Sequence, residues 1–209
     1  MQGSGREKAY EFLKETILVD PEMQGRFISE QDVADQIGVS RTPIREALLL
    51  LAAEDLVQLV PKKGAYVAPV SGRGVAELME LRGMVERYAA ERVLQLGTAP
   101  VARMRAAIER QRELRGLDRA GEFIDVDRQF HALLVAAMGN DMLNKMYEGL
   151  RARQVRAGIL ALFRVVGRQD AVLVEHEAIV AGLESGDVNL ATSAISAHLE
   201  STLKLLLEG

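Results

Sequence analysis

An abrupt change of texture at Pro69-Val70-Ser71-Gly72-Arg73-Gly74 divides this chain, and few folds accommodate what lies on both sides of it. Before it, helical patterns over 6–18, 32–37 and 41–51 alternate with turn signals at Pro21, Gly25 and Gly38. Two β-like runs follow, Val57-Gln58-Leu59-Val60 and Ala65-Tyr66-Val67-Ala68, on either side of Pro61-Lys62-Lys63-Gly64, which reads as a hairpin with lysines at its tip. After residue 74 the β signal vanishes. Six helical segments succeed one another, broken near Gly97-Thr98-Ala99-Pro100, Leu117-Asp118, Gly139-Asn140, Val166-Gly167 and Ser185-Gly186. The expectation is a mostly α protein: three short helices and a hairpin that make a winged helix-turn-helix over 1–70, a linker at 71–74, and an all-α six-helix bundle over 75–209.

Composition supports this and excludes several classes. Aromatics make up 4% of the chain and tryptophan is absent, which disfavours a β-sandwich or barrel. There is no cysteine, so disulfides, thiolate metal sites and cysteine nucleophiles are ruled out, and a cytoplasmic setting is expected. Apolar runs such as 47–53 fall far short of the ~20 residues that span a bilayer, so no membrane partner is expected. Net charge is −4, and residues 1–70 hold eight Lys/Arg against eleven Asp/Glu, so any DNA contact must come from a small basic patch on an acidic body.

The patch is legible in the third helical pattern. Ile44, Ala47, Leu48, Leu51 and Ala52 recur at helical spacing and face a core, while Arg41, Thr42 and Arg45 project from the N-terminal end. Ser29 can cap the second helix, Gly38 can take a left-handed backbone at its end, and Ser40 can cap the third, with Pro43 in its first turn. Arg41 and Arg45 can offer forked donors to guanine or phosphate, Ser40 and Thr42 can donate to phosphate, and Lys62, Lys63 and Gly64 on the wing can reach an adjacent groove. The plainer alternative for either arginine alone is a solvated side chain on an amphipathic helix. The stretch Ile28-Ser29-Glu30-Gln31-Asp32-Val33-Ala34-Asp35-Gln36-Ile37-Gly38-Val39-Ser40-Arg41-Thr42-Pro43-Ile44-Arg45-Glu46-Ala47-Leu48, with Leu51, Leu56-Val57 and Gly64-Ala65-Tyr66-Val67 after it, resembles the GntR family of bacterial transcription regulators. It departs from the family at Asp55, where glycine is usual, and in lacking a proline before Ile28. The resemblance implies a homodimer that binds a double-stranded DNA operator and acts as a transcription repressor.

All three histidines lie beyond residue 130, each on an apolar stripe. His131 shares a helical face with Asp127, Phe130, Leu134 and Met138; His176 lies among Val172, Leu173, Ile179, Val180 and Leu183; His198 among Ala191, Ala194, Ile195, Thr202 and Leu205. Three imidazoles and one carboxylate on inner faces could satisfy one another through a shared cation, although a hydrogen-bonded core position is the simpler reading of each alone. The set Asp127-x-x-x-His131, His176 and His198 resembles the effector domain of the fatty-acid-regulator subgroup of the same family, the FCD domain, in its shorter vanillate-regulator-like branch. That resemblance implies that 75–209 is a ligand- and metal-binding and dimerisation domain, with a divalent transition metal, Zn, Ni, Mn or Fe, on those four residues. One atom from each leaves two positions of an octahedral ion for water or a small organic acid effector. A cation that only ties three helices together is the alternative, as are a metal acting as the signal itself and a metalloenzyme. Arg82 interrupts the stripe Val75, Leu78, Val85, Ala89 and could pair with an anionic effector, or with Glu86 one turn on.

Overall fold

The computed structural model describes residues 4–54, 56–61 and 63–208, in two compact units that meet between Val70 and Ser71. Asp55 and Lys62, both singled out in the sequence, lie outside the described residues.

In the first unit α1 (Gly5–Val19), α2 (Glu30–Ile37) and α3 (Arg41–Ala53) precede the strands β2 (Gln58–Val60) and β3 (Gly64–Tyr66). Helix α1 starts on a capping box, with Ser4 and Glu7 each bonding the other's backbone N–H. Helix α2 starts on the Ser29 hydroxyl and ends at Gly38, whose φ of 70° lets the chain turn within two residues into α3. The apolar faces of these helices bury Leu13, Ile17, Val33, Ile37, Ile44, Leu48 and Leu51 in one core. Ala52 is only half-buried, at the edge of that core. One strand escaped the sequence reading. Phe27–Ile28 forms β1, which pairs antiparallel with β3 to give a three-stranded sheet in the order β1-β3-β2. Two residues are too few for an alternating pattern, so the strand is visible only through its partner. Gly64 has a φ of 96°, and a Cβ there would stand 3.1 Å from the Ile28 carbonyl oxygen; glycine is what lets the wing close on β1.

The second unit has seven α-helices among its described residues: α4 (Gly72–Leu96), α5 (Val101–Glu113), α6 (Ala120–Ala136), α7 (Asp141–Glu148), α8 (Arg151–Arg164), α9 (Arg168–Ser185) and α10 (Val188–Glu208). The all-α reading stands, but two details are corrected. Residues 71–74 are not a linker: Ser71 caps α4 through the Gly74 N–H, and 72–74 are its first turn. The stretch expected as one helix between Gly139 and Val166 is α7 and α8. Its break, at Gly149 (φ −62°, ψ −15°) and Leu150 (φ −85°, ψ −6°), keeps near-helical dihedrals, so neither a left-handed glycine nor a proline marks it.

Helix α10 packs between α4 and α9, α5 lies on α6 and α9, and α6 also meets α4 and α8. The α9–α10 approach is close enough that a Cβ on Gly182 would fall 2.7 Å from Ala191 Cα. Ion pairs tie α5 and the turn after it to α9 on the outside, Arg112 to Glu177 at 2.6 Å and Arg115 to Asp170 at 3.2 Å. Inside are Phe123, Phe130, Tyr147, Met104 and Ile108, each contributing roughly 1.5–3 kcal/mol by burial. This interior also contains Arg82, Glu86, His131, His176, His198 and Arg168, far more ionisable side chains than a core of this size normally holds. No helix among the described residues is long and apolar enough to cross a membrane.

Candidate DNA-reading face and metal centre

Because Ile44, Ala47, Leu48 and Leu51 anchor α3 from one side, Arg41, Thr42 and Arg45 are left exposed at its N-terminal end, as the periodicity requires. Ser40 occupies the N-cap position, but its hydroxyl makes no capping bond; the side chain is exposed and uncommitted, contrary to the capping role expected of it. Between α3 and the wing runs a groove of about 790 Å³, lined by Arg41, Arg45, Lys63, Gly64, Leu49 and Leu59 among others. Glu30, the first residue of α2, lies in this groove. Its Oε2 accepts from Arg41 Nη2 at 2.9 Å and from Arg45 Nε at 2.8 Å. Partial burial alone would raise the Glu30 pKa, but the hydrogen bonds and charge of the two arginines outweigh it and hold the group below its ordinary range. Nothing in the sequence pointed to Glu30, which sits 11 and 15 residues from its partners and meets them only because the Gly38 turn folds α2 onto α3.

In the second unit, α6, α9 and α10 bring His131, His176 and His198 together. Their ring centroids are separated by 5.1, 4.9 and 5.0 Å, and one donor nitrogen from each lies within 4.8 Å of the others. Phe130 stacks on His176 at 4.0 Å with planes 8° apart, closing one side. Each ring faces an acceptor through Nδ1. His131 Nδ1 lies 2.8 Å from Glu86 Oε2, His176 Nδ1 2.9 Å from Gln111 Oε1, and His198 Nδ1 2.7 Å from Glu175 Oε2. None of those oxygens can donate, so an Nδ1 bonded to one of them carries a proton. The Nε2 atoms of His131 and His176 are buried with no hydrogen-bond partner. Burial, then the neighbouring histidines, pushes the His176 pKa well below its ordinary value; the His198 pKa is lowered too, by burial against the opposing pull of Glu175. For His176 and His198 these shifts favour the neutral ring, the form in which Nε2 can bind a cation.

Asp127, one turn before His131 on α6, places Oδ1 3.4 Å from His176 Nε2. Two donors ~2.1 Å from a common ion stand ~3.0 to ~3.4 Å apart, so this pair fits a shared ion, while the compact three-histidine cluster is formed without the carboxylate.

Arg82 on α4 takes the alternative that the sequence left open: its Nε donates to Glu86 Oε1 at 2.7 Å, in a pair whose side chains are 6% and 0% exposed. It also keeps an unspent donor, since its Nη2 has no partner. Tyr147 donates to the same Glu86 oxygen at 2.6 Å. Desolvation opposes the charge on both members of the pair, yet each is stabilised by the other, so the Glu86 carboxyl stays far below and the Arg82 guanidinium above its usual range. Behind His198, Arg168 grips Glu175 with two bonds of 2.6 and 2.9 Å and reaches Ser201 and Thr202.

The supporting residues Gln111, Tyr147, Glu175 and Arg168 went unassigned in the sequence. Gln111 carried a usable signal, a polar residue on the stripe Met104, Ile108, Gln111, which is the same kind of interruption that singled out Arg82.

The gntR family of bacterial regulatory proteins matches residues 6–67, and the FCD domain matches residues 77–201. An HTH-type transcriptional regulator in an unstable DNA locus of Streptomyces ambofaciens is 34% identical, over 95% of this chain and 83% of that protein. The HTH-type transcriptional repressor RspR of Escherichia coli K12 is 28% identical, over 93% and 85%. A GntR transcriptional regulator from Rhodococcus sp. RHA1 shares the fold, with a TM-score of 0.81 at 20% identity and 98% coverage of both chains. These relatives are transcriptional regulators, which sets aside the metalloenzyme alternative. The chain belongs to the GntR family and is a DNA-binding transcriptional regulator, a winged helix-turn-helix joined to an FCD domain.

Proposed function

We propose that the protein is a cytoplasmic, homodimeric repressor that binds a pseudo-palindromic operator and is controlled by a small carboxylate held beside a divalent metal. Asp127, His131, His176 and His198 would hold the ion, which supplies a fixed positive charge and open positions for an oxygen ligand. Zn, Ni, Mn and Fe all suit this donor set. Arg82 would meet the carboxylate through its unpartnered Nη2. The observation that carries the reading is the combination of buried Nε2 atoms on His131 and His176 that lack a hydrogen-bond partner with that spare guanidinium donor, polar groups that a core without a ligand would leave unsatisfied.

On the DNA side, Ser40, Arg41, Thr42, Arg45, Lys62, Lys63 and Gly64 are the proposed contacts. Half-sites of such dimers lie about 34–36 Å apart, so a modest change in the relation between the two recognition helices misplaces one of them. A near-complete switch requires the effector to prefer the non-binding arrangement by ~5.5 kcal/mol.

The test begins with native mass spectrometry of the untreated protein. It continues with binding to a duplex selected by the protein from a randomised pool, titrated with metal and with simple dicarboxylates and hydroxyacids. A dimer with one metal per chain, whose DNA affinity falls only when metal and acid are both present, is the expected result. Affinity that follows free metal alone makes the cation the signal, and a protein that takes up no metal at any accessible concentration defeats the metal-centred reading.

A further inference from the structure

We propose that Glu30 is a specificity-determining residue of the DNA-reading face, aiming Arg45 at a base edge while keeping the two recognition arginines from serving as general phosphate binders. This rests on the reading of α3 as the recognition helix.

An arginine beside DNA has two uses: a phosphate contact, which is blind to sequence, and a fork to guanine O6 and N7, which is not. The guanidinium can present that fork through Nε with one Nη, or through its two Nη atoms. Arg45 gives its single Nε–H to Glu30 at 2.8 Å, so only the outer pair of nitrogens is left to face a base. The same bond restrains a side chain that is otherwise 62% exposed. A long side chain restrained before contact loses less freedom on binding.

The second effect is electrostatic. Glu30 Oε2 also accepts from Arg41 at 2.9 Å, so one carboxylate, 18% exposed, is shared between two guanidinium groups. The two arginines therefore present a net charge of one rather than two to an approaching backbone. A base edge needs directed donors, but a phosphate mainly needs charge, so the shared carboxylate weakens sequence-blind binding more than base reading. In a unit with eight Lys/Arg against eleven Asp/Glu, Glu30 is the acidic side chain placed on the reading arginines themselves.

The experiment compares wild type, Glu30→Gln, Glu30→Asp, Arg45→Ala and the Glu30→Gln/Arg45→Ala pair. Each is titrated against a duplex selected by the wild-type protein from a randomised pool, its single-base variants, and a random-sequence duplex, at four or more salt concentrations. Glu30→Gln is expected to bind the random duplex about three- to tenfold more tightly, with a log–log salt slope steeper by about one, the increment of one added phosphate contact. It should also relax base preference at the position that Arg45→Ala relaxes, and Glu30→Asp should restore part of that preference. In the Arg45→Ala background the substitution should leave base preference unchanged. A Glu30→Gln variant with wild-type base preference and salt slope overturns the inference even if Arg45→Ala weakens selected binding. If Arg45→Ala itself leaves selected binding intact, the recognition-helix reading falls, and this inference falls with it.

Discussion

The two units each contain an arginine bonded to a glutamate at nearly the same distance, Arg45–Glu30 at 2.8 Å and Arg82–Glu86 at 2.7 Å, and the pairs do opposite things. In the first the arginine is 62% exposed; in the second it is 6% exposed and its partner 0%. Water solvates the charges of the first pair almost as well when they part, so the bond can open and close at little cost. The second pair has given up its water. Each charge there depends on the other, and Glu86 additionally faces Tyr147 and His131. Identical chemistry is thus adjustable on the proposed reading face and fixed beside the histidine cluster, and dielectric surroundings account for the difference.

The largest expected effect comes from breaking the buried pair. Glu86→Ala leaves Arg82 in the core without its counter-charge and strips an acceptor from Tyr147 and His131. A loss of about 3–5 kcal/mol is expected from denaturant unfolding of the metal-free protein, with Glu86→Gln milder because it still accepts a hydrogen bond. A loss below about 1 kcal/mol would mean that the interior is wet and that the two pairs do not differ in kind.

An intermediate effect is expected at Glu175, which lies between these extremes with a side chain 20% exposed. Burial raises its pKa, but the bonds from His198 and Arg168 outweigh that and bring it to about 2. A depressed carboxyl contributes stability above its unfolded value, near 4.5, and that contribution is lost as pH falls from there through about 2. The stability advantage of wild type over Glu175→Gln should therefore be constant from pH 6 to 5 and shrink on acidification towards pH 3. Because Glu175 orients a proposed ligand, Glu175→Gln should also weaken metal binding about 10–100-fold in competition with a chromogenic chelator. Unchanged metal affinity would make the Arg168–Glu175–His198 chain structural only.

Much of this arrangement was legible because it breaks a pattern. His131, His176, His198 and Arg82 each interrupt an apolar stripe at helical spacing, and Glu86 follows Arg82 by one turn, so both proposed ligand groups could be found by eye. The helix ends at Gly97 and Gly186 were equally visible, since both glycines adopt the left-handed backbone that stops a helix. What stayed hidden depends on contacts between distant segments. The turn at Gly149–Leu150 uses ordinary dihedrals, β1 is defined only by β3, and Arg168 finds Glu175 seven residues on along α9 but Thr202 only across α10. Glu30 belongs with these, since its role exists only after α2 and α3 have met.

The smallest expected effect is therefore on the stability of the exposed pair. Glu30→Gln removes a charge shared by two arginines that are more than half exposed, so its unfolding free energy should change by no more than about 1 kcal/mol. The sign is destabilising, because two charge-assisted bonds and the favourable interaction of a carboxylate with the N-terminus of α2 are lost together, and the size is small because the glutamine oxygen still accepts a hydrogen bond. Raising the salt from about 0.05 to 0.5 M should shrink the difference further, because exposed charges are screened over distances of about 4–14 Å in that range. The same salt series should leave the cost of Glu86→Ala nearly unchanged, since no counter-ion reaches a side chain with no exposed surface. If the two substitutions responded alike to salt, burial could not be what separates a reading arginine from a structural one.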